Sequence, residues 1–179
     1  MESQSHLILS HRENKNIEMD VNNAIIYLQT QGYNYFTTGK NMYGGMNMDY
    51  KFLVSKALEG RNNAYVPYSN FKVGAAILME DDSIYTGCNI ENASYGATNC
   101  AERTAIFKAV SEGHKEIKAI AIVGLENDYT YPCGICRQVI AEFASEDIKI
   151  IVAKNKNEYV VKTLEEILPG AFTKRDLQK

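Results

Sequence analysis

Hydrophobic and polar positions alternate in regular ways only from about residue 49 onward. Residues 50–63 place Leu53, Ala57 and Leu58 on one helical face, with Asp49 as a cap. Phe71 to Met79, rich in Val, Ala and Ile, reads as a strand, and Ser83 to Asn89 as a second after the turn Glu80-Asp81-Asp82. Cys100 to Glu112 returns to helical spacing through Ala101, Ala105, Ile106, Ala109 and Val110, and stops at Gly113. Ile117 to Leu125 and Ile148 to Ala153 are nearly unbroken apolar runs, as in strands covered on both faces. Between them, Gly134 to Ser145 carries Val139, Ile140 and Phe143 at helical spacing.

Glu158 to Val161 predicts a fifth strand. The four residues before it are too few for a crossover, so it must pair antiparallel with its predecessor. A last helix over Thr163 to Leu168 shows a capping-box signal in Thr163-Leu164-Glu165-Glu166 and ends before Pro169-Gly170. The order ββαβαββα predicts an α/β fold: a three-layer sandwich with a mixed five-stranded sheet and helices on both faces.

Residues 1–48 read differently. They hold seven Asn, three Gln and four Tyr, and end in the loose run Gly39-Lys40-Asn41-Met42-Tyr43-Gly44-Gly45. Apart from a short helix predicted over Asp20 to Gln31, the apolar density is too low to offset the entropy of ordering. We expect a poorly ordered or partly helical extension over 1–48 and one domain over 49–179.

Charge and composition exclude several classes of function. The net charge is −3, and residues 49–179 carry 16 Lys+Arg against 18 Asp+Glu, which provides no basic channel for nucleic acid. No apolar run is long enough to span a membrane. The N-terminus lacks the cationic and apolar regions of a secretory signal, so a cytoplasmic chain is expected. In a reducing compartment its four cysteines read as metal ligands or catalytic groups.

Three of those cysteines stand at predicted helix starts: Cys100, and Cys133 and Cys136 after Pro132. Helix N-termini favour thiolates, zinc favours thiolate ligands, and a catalytic zinc takes three protein ligands with a fourth position free. Glu102 lies two residues beyond Cys100, close enough to act beside a metal without ligating it. Arg103 and Arg137 follow the ligands and could offset the charge of three thiolates. Alone, Cys133-Gly134-Ile135-Cys136 is equally a redox dithiol, and Cys88 as a fourth ligand would close a structural site. The addition of Cys100-Ala101-Glu102 turns the reading towards catalytic zinc, with Cys88 as a small hydrophobe at a strand end.

Cys100-Ala101-Glu102 with Pro132-Cys133 and Cys136 resembles the signature of the zinc-dependent nucleobase deaminases. Further matches are Tyr65-Val66-Pro67-Tyr68-Ser69-Asn70-Phe71-Lys72-Val73-Gly74-Ala75-Ala76, Gly87-Cys88-Asn89-Ile90-Glu91-Asn92-Ala93-Ser94-Tyr95, Cys133 to Gln138, and Leu168-Pro169-Gly170-Ala171-Phe172. Over 49–179 these resemble the short, homotetrameric cytidine deaminases. The resemblance implies one Zn²⁺ per chain on Cys100, Cys133 and Cys136, with Glu102 as proton shuttle for a water that attacks carbon 4 of the pyrimidine. It implies Phe71, Ala101 and the Cys133 carbonyl at the base, and Asn89 and Glu91 at the ribose. Tyr95 and Phe172 are expected to reach a neighbouring subunit's site. The substrates implied are cytidine and deoxycytidine; another aminopyrimidine nucleoside, such as blasticidin S, is the alternative. Glu91 would repel a phosphate, which favours a free nucleoside.

Overall fold

The computed structural model describes residues 6–10, 16–20 and 50–177. The chain divides into two units, 1–48 and 49–179. In the first, β1 (His6–Ser10) pairs antiparallel with β2 (Asn16–Asp20), in the register Leu7 to Met19 and Leu9 to Ile17. Strand pairing was not expected there. Asp20 is the last residue of β2; the helix expected to follow it, like Asp49, lies outside the described residues.

The second unit is built on β3 (Gly74–Met79), β4 (Ile84–Cys88), β5 (Ile117–Val123), β6 (Ala144–Asn155) and β7 (Glu158–Lys162). They form one sheet in the order β4-β3-β5-β6-β7. β3 runs antiparallel to both β4 and β5, β5 and β6 are parallel, and β7 returns antiparallel on β6. This is the mixed sheet the sequence predicts, including the hairpin after Asn155.

Helices cover both faces. α1 (Tyr50–Arg61) lies on one, buried through Leu53, Val54 and Ala57, while Leu58 is only half-buried. α2 (Ala101–Ser111) and α3 (Gly134–Phe143) cover the other, and α3 is the crossover that parallel β5 and β6 require. Alternation within the strands separates the two cores. Ala75, Ile77, Met79, Ile120, Ile122, Ile150 and Val152 pack with Ala105 and Ile106 of α2 and Ile140 of α3. The intervening Ala76, Leu78, Ala119, Ala121 and Ile151 are equally buried, on the α1 side. That double coverage explains the continuous apolar runs.

Two glycines set how closely the helices approach. A Cβ on Gly74 would lie 2.1 Å from the Ala57 carbonyl oxygen, and one on Gly87 would lie 2.4 Å from that of Ala101. α1 and α2 therefore rest directly on the backbones of β3 and β4. Gly87 in particular seats the first turn of α2, where Cys100 and Glu102 stand.

Some boundaries move. β3 begins at Gly74 and not Phe71, because Phe71 to Val73 are held by the Asn89 side chain and not by a full ladder. β6 follows α3 without a loop. The last predicted helix shortens to α4 (Leu164–Ile167), capped by Thr163: its hydroxyl accepts from the Glu166 N–H at 3.2 Å while its own N–H donates to the Glu166 carboxylate at 2.8 Å. A further turn, α5 (Lys174–Leu177), was not predicted. Among the described residues, no helix is long and apolar enough to cross a membrane.

Candidate active site

β3 starts beside the ends of β4 and β5, since Gly74 is in register with both Cys88 and Val123. The loops leaving β4 and β5 at this end of the sheet lead into the first turns of α2 and α3. Cys100 is the N-cap of α2 and Cys133 that of α3, both in extended conformation, and neither side chain caps its own helix. Cys136, in the first turn of α3, is fully buried. The three sulfurs all lie within 4.8 Å of one another, with Cys100 and Cys133 3.8 Å apart.

This donor set fits zinc. A tetrahedral ion with Zn–S bonds of about 2.3 Å separates its sulfurs by about 3.8 Å. Among the described residues no other group of three His, Cys, Asp or Glu converges in this way, and Cys88 is outside the group. Burial raises the Cys88 thiol pKa, as for an inert packed cysteine.

The electrostatics around the sulfurs favour a thiolate. Hydrogen bonding from Cys136 holds Cys100 down to about 5, with Arg103 assisting and burial opposing. Cys136 is raised, first by that same hydrogen bond and then by burial. The Arg103 Nη2 stands 3.6 Å from the Cys100 sulfur and 3.3 Å from the Thr98 carbonyl oxygen. Arg137 points its donors elsewhere: its Nε and Nη1 each lie 2.8 Å from a carbonyl oxygen, those of Pro132 and Ile167. It ties the loop before Cys133 to the end of α4.

Glu102 is the one buried polar or charged side chain among the described residues, 4% exposed. Burial pushes its carboxyl up to about 7, against the opposing pull of its own backbone N–H and of Cys136. A buried carboxyl without an ion pair is costly, and such groups concentrate at functional sites.

Three loop segments are laced to this centre by backbone hydrogen bonds. Tyr65 N–H donates to the Asn89 oxygen at 3.1 Å and Glu91 N–H to the Tyr65 oxygen at 2.8 Å. Ile90 and Asn99 exchange a pair of bonds at 2.9 and 3.0 Å, one residue before Cys100. Phe71, half-buried, packs against the core, and Ala101 is fully buried. The Asn89 amide accepts from Val73 N–H at 2.8 Å and donates to the Phe71 oxygen at 2.7 Å, so in this structure it acts first as a clamp on Phe71. The Glu91 carboxylate accepts from the N–H groups of Tyr68 (2.8 Å) and Ser69 (3.3 Å) and from the Ser69 hydroxyl. Tyr68, Ser69, Glu91, Tyr95 and Thr98 line an open groove.

Tyr95 is 77% exposed, its ring 6.1 Å from that of Tyr68, and Phe172 is 63% exposed. Phe172 is held from α3, where the Gln138 Nε2 donates to its carbonyl oxygen at 2.8 Å. Both rings remain largely exposed in the single chain, Tyr95 resting against Tyr68. Ser69 and Gln138 carry no role predictable from the motifs alone. A Ser two residues before a backbone N–H in a Pro-Tyr-Ser-Asn turn is a recognisable side-chain capping signal, and the Phe71 N–H does donate to the Ser69 hydroxyl at 3.0 Å.

Residues 47–153 match the family described as the cytidine and deoxycytidylate deaminase zinc-binding region. A cytidine deaminase of Halalkalibacterium halodurans is 52% identical over 130 residues, covering 73% of this chain and 98% of that protein. One from Mycobacterium tuberculosis is 38% identical over 133 residues, covering 74% and 96%. The crystal structure of cytidine deaminase from Burkholderia pseudomallei superposes with a TM-score of 0.66 at 43% identity, covering 70% of this chain and all of that one. A buried carboxyl beside three converging helix-start sulfurs, on this sheet and with these relatives, assigns the chain: it belongs to the cytidine and deoxycytidylate deaminase family.

Proposed function

We propose that this chain hydrolyses the exocyclic C–N bond of cytidine and deoxycytidine, releasing ammonia and the corresponding uridine. The observation that carries this is Glu102, buried at about 4% exposure next to three sulfurs with zinc spacing. The relatives named above support the choice of substrate. Residues 49–179 are the deaminase domain in this reading, with 1–48 an extension of it.

Cys100, Cys133 and Cys136 would hold the zinc, which when bound supplies a Lewis acid that makes a water nucleophilic near neutral pH. Glu102 takes one proton from the attacking water and delivers it to the ring nitrogen as oxygen bonds to carbon 4; it then takes the second proton from the new hydroxyl and delivers it to the amine, which leaves as ammonia while the carbon 4 carbonyl forms. A carboxyl poised near neutrality suits both directions of transfer. Phe71, Ala101 and the Cys133 carbonyl position the base. Asn89 and Glu91 meet the ribose hydroxyls, and the charge on Glu91 disfavours a nucleotide phosphate. Arg103, against the Cys100 sulfur, offsets thiolate charge. Loss of absorbance on incubation with cytidine, together with about one zinc per chain, is the expected result. Zinc without turnover of any aminopyrimidine nucleoside would overturn the reading.

The active form in this reading is a homotetramer with shared sites. The support is exposure: Tyr65, Tyr68, Tyr95, Ile135 and Phe172 stand out from the surface as large apolar side chains. A nucleoside in the open groove needs a cover to exclude water. A ring of Phe172 from a neighbour would provide it, contributing about 1–3 kcal/mol through burial and stacking. Refolding Glu102→Ala and Phe172→Ala chains together should recover activity above the sum of the parents. Recovery of only that sum, with subunit exchange demonstrated, would place Phe172 in its own chain's site or in none.

A further inference from the structure

Ser69 joins the two arms of the groove. Its hydroxyl donates to the Glu91 carboxylate and accepts from the Phe71 N–H at 3.0 Å, so one oxygen links the acid on the β4 loop to the aromatic before β3. The Ser69 and Tyr68 N–H groups complete the set of donors on Glu91. The turn that presents them is fixed by Val66, whose oxygen accepts from the Asn70 N–H at 3.1 Å, and by Asn70 itself at a φ of 55°. The bonds to the Glu91 carboxylate lie at the surface, where a free carboxylate would sample several rotamers. Chained hydrogen bonds polarise and hold one another.

We infer that Ser69 is a positioning residue for nucleoside recognition: its hydroxyl orients the Glu91 carboxylate towards the sugar and, through the same oxygen, sets Phe71 against the base. This deepens the reading above and rests on Glu91 and Phe71 holding the nucleoside. The Ser69 hydroxyl is also the largest influence lowering the Glu91 carboxyl pKa, as expected for a donor bonded to the charged form. Ser69 touches no reacting atom, so its removal should act on binding and not on proton transfer.

The test is steady-state kinetics on the zinc-loaded full chain. Ser69→Ala should raise KM for cytidine roughly tenfold while kcat stays within about threefold, as expected for losing one hydrogen bond to a charged acceptor. Ser69→Thr, which keeps the hydroxyl, should restore KM to within about threefold. With 2′,3′-dideoxycytidine, which lacks the sugar hydroxyls Glu91 would accept from, the Ser69→Ala penalty should shrink. Glu91→Gln should raise KM by itself, and adding Ser69→Ala to it should change KM little, because the two act as a unit. Should Ser69→Ala not fold, Ser69→Cys, similar in size with a weak donor, is read in its place.

If Glu91→Gln raises KM and Ser69→Ala does not, the backbone N–H groups suffice. The positioning role then falls while the sugar-binding reading stands. Penalties that multiply in the double variant, or a Ser69→Ala defect confined to kcat, would equally overturn it. If Glu91→Gln itself leaves KM unchanged, the sugar-binding reading falls and takes the role of Ser69 with it.

Discussion

Replacing Glu102 with Gln should lower cytidine turnover by about 10⁴-fold or more and leave zinc in place, because in the proposed mechanism this one carboxyl moves every proton. Within residues 50–177 no other group suits that task. His114, the one histidine in the deaminase domain, follows the far end of α2 and pairs with Asp81 at 3.0 Å. Arg103 does not release a proton in the working range. Cys100, Cys133 and Cys136 are the ligands in the proposed site. Gln preserves the size of Glu102 and removes no sulfur, so the sheet, α2 and the metal site should survive. Substituting a neutral amide for a buried acid should also cost little stability, since burial already works against the charged form. The measurements are spectrophotometric kcat and zinc per chain by elemental analysis. Turnover within about 100-fold of the parent at full zinc loading would remove Glu102 from the proton path.

Much of this site is legible in the sequence because helix starts are. Cys100, Cys133 and Glu102 are placed by where α2 and α3 begin, and those beginnings follow from local pattern: apolar spacing, Pro132, and the preceding polar loops. The parallel pairing of β5 with β6 and the antiparallel return of β7 also follow from local lengths, since one connection holds a helix and the other two residues. What could not be read are contacts made by short polar side chains across sequence. Asn89 resembles an ordinary loop residue until its amide is seen bridging Phe71 and Val73, 18 and 16 positions away. Arg137 looks like a counter-charge from its place beside Cys136, yet its donors reach the Pro132 and Ile167 carbonyls. Spacing puts a guanidinium near the sulfurs without saying which way it turns. The β1–β2 pair was missed for a different reason: composition averaged over 48 residues obscures the apolar run Leu7-Ile8-Leu9 and the alternating Ile17 and Met19.

The second large effect separates the three-sulfur site from its rival, a closed four-cysteine site. Cys136→Ala should lose both zinc and activity, whereas Cys88→Ala should keep both. Cys136 is the fully buried member of the trio and sits where its sulfur reaches both Cys100 and Glu102. Removing it leaves two thiolates, one of them exposed, to hold the ion. The trade of a thiol for a methyl in this core costs on the order of 1 kcal/mol by itself, too little to unfold the domain. Loss of the metal should be visible separately. Zinc bound only to the folded chain stabilises it by an amount that rises with the logarithm of free zinc over Kd, so a chelator should lower the melting temperature of the parent and of Cys88→Ala but not that of Cys136→Ala. Cys88, at the end of β4 and outside the sulfur group, has nothing to contribute to that shift. A Cys88→Ala chain that purifies without zinc would convert the site to a closed structural one, leaving no open position for water and no role for a buried Glu102.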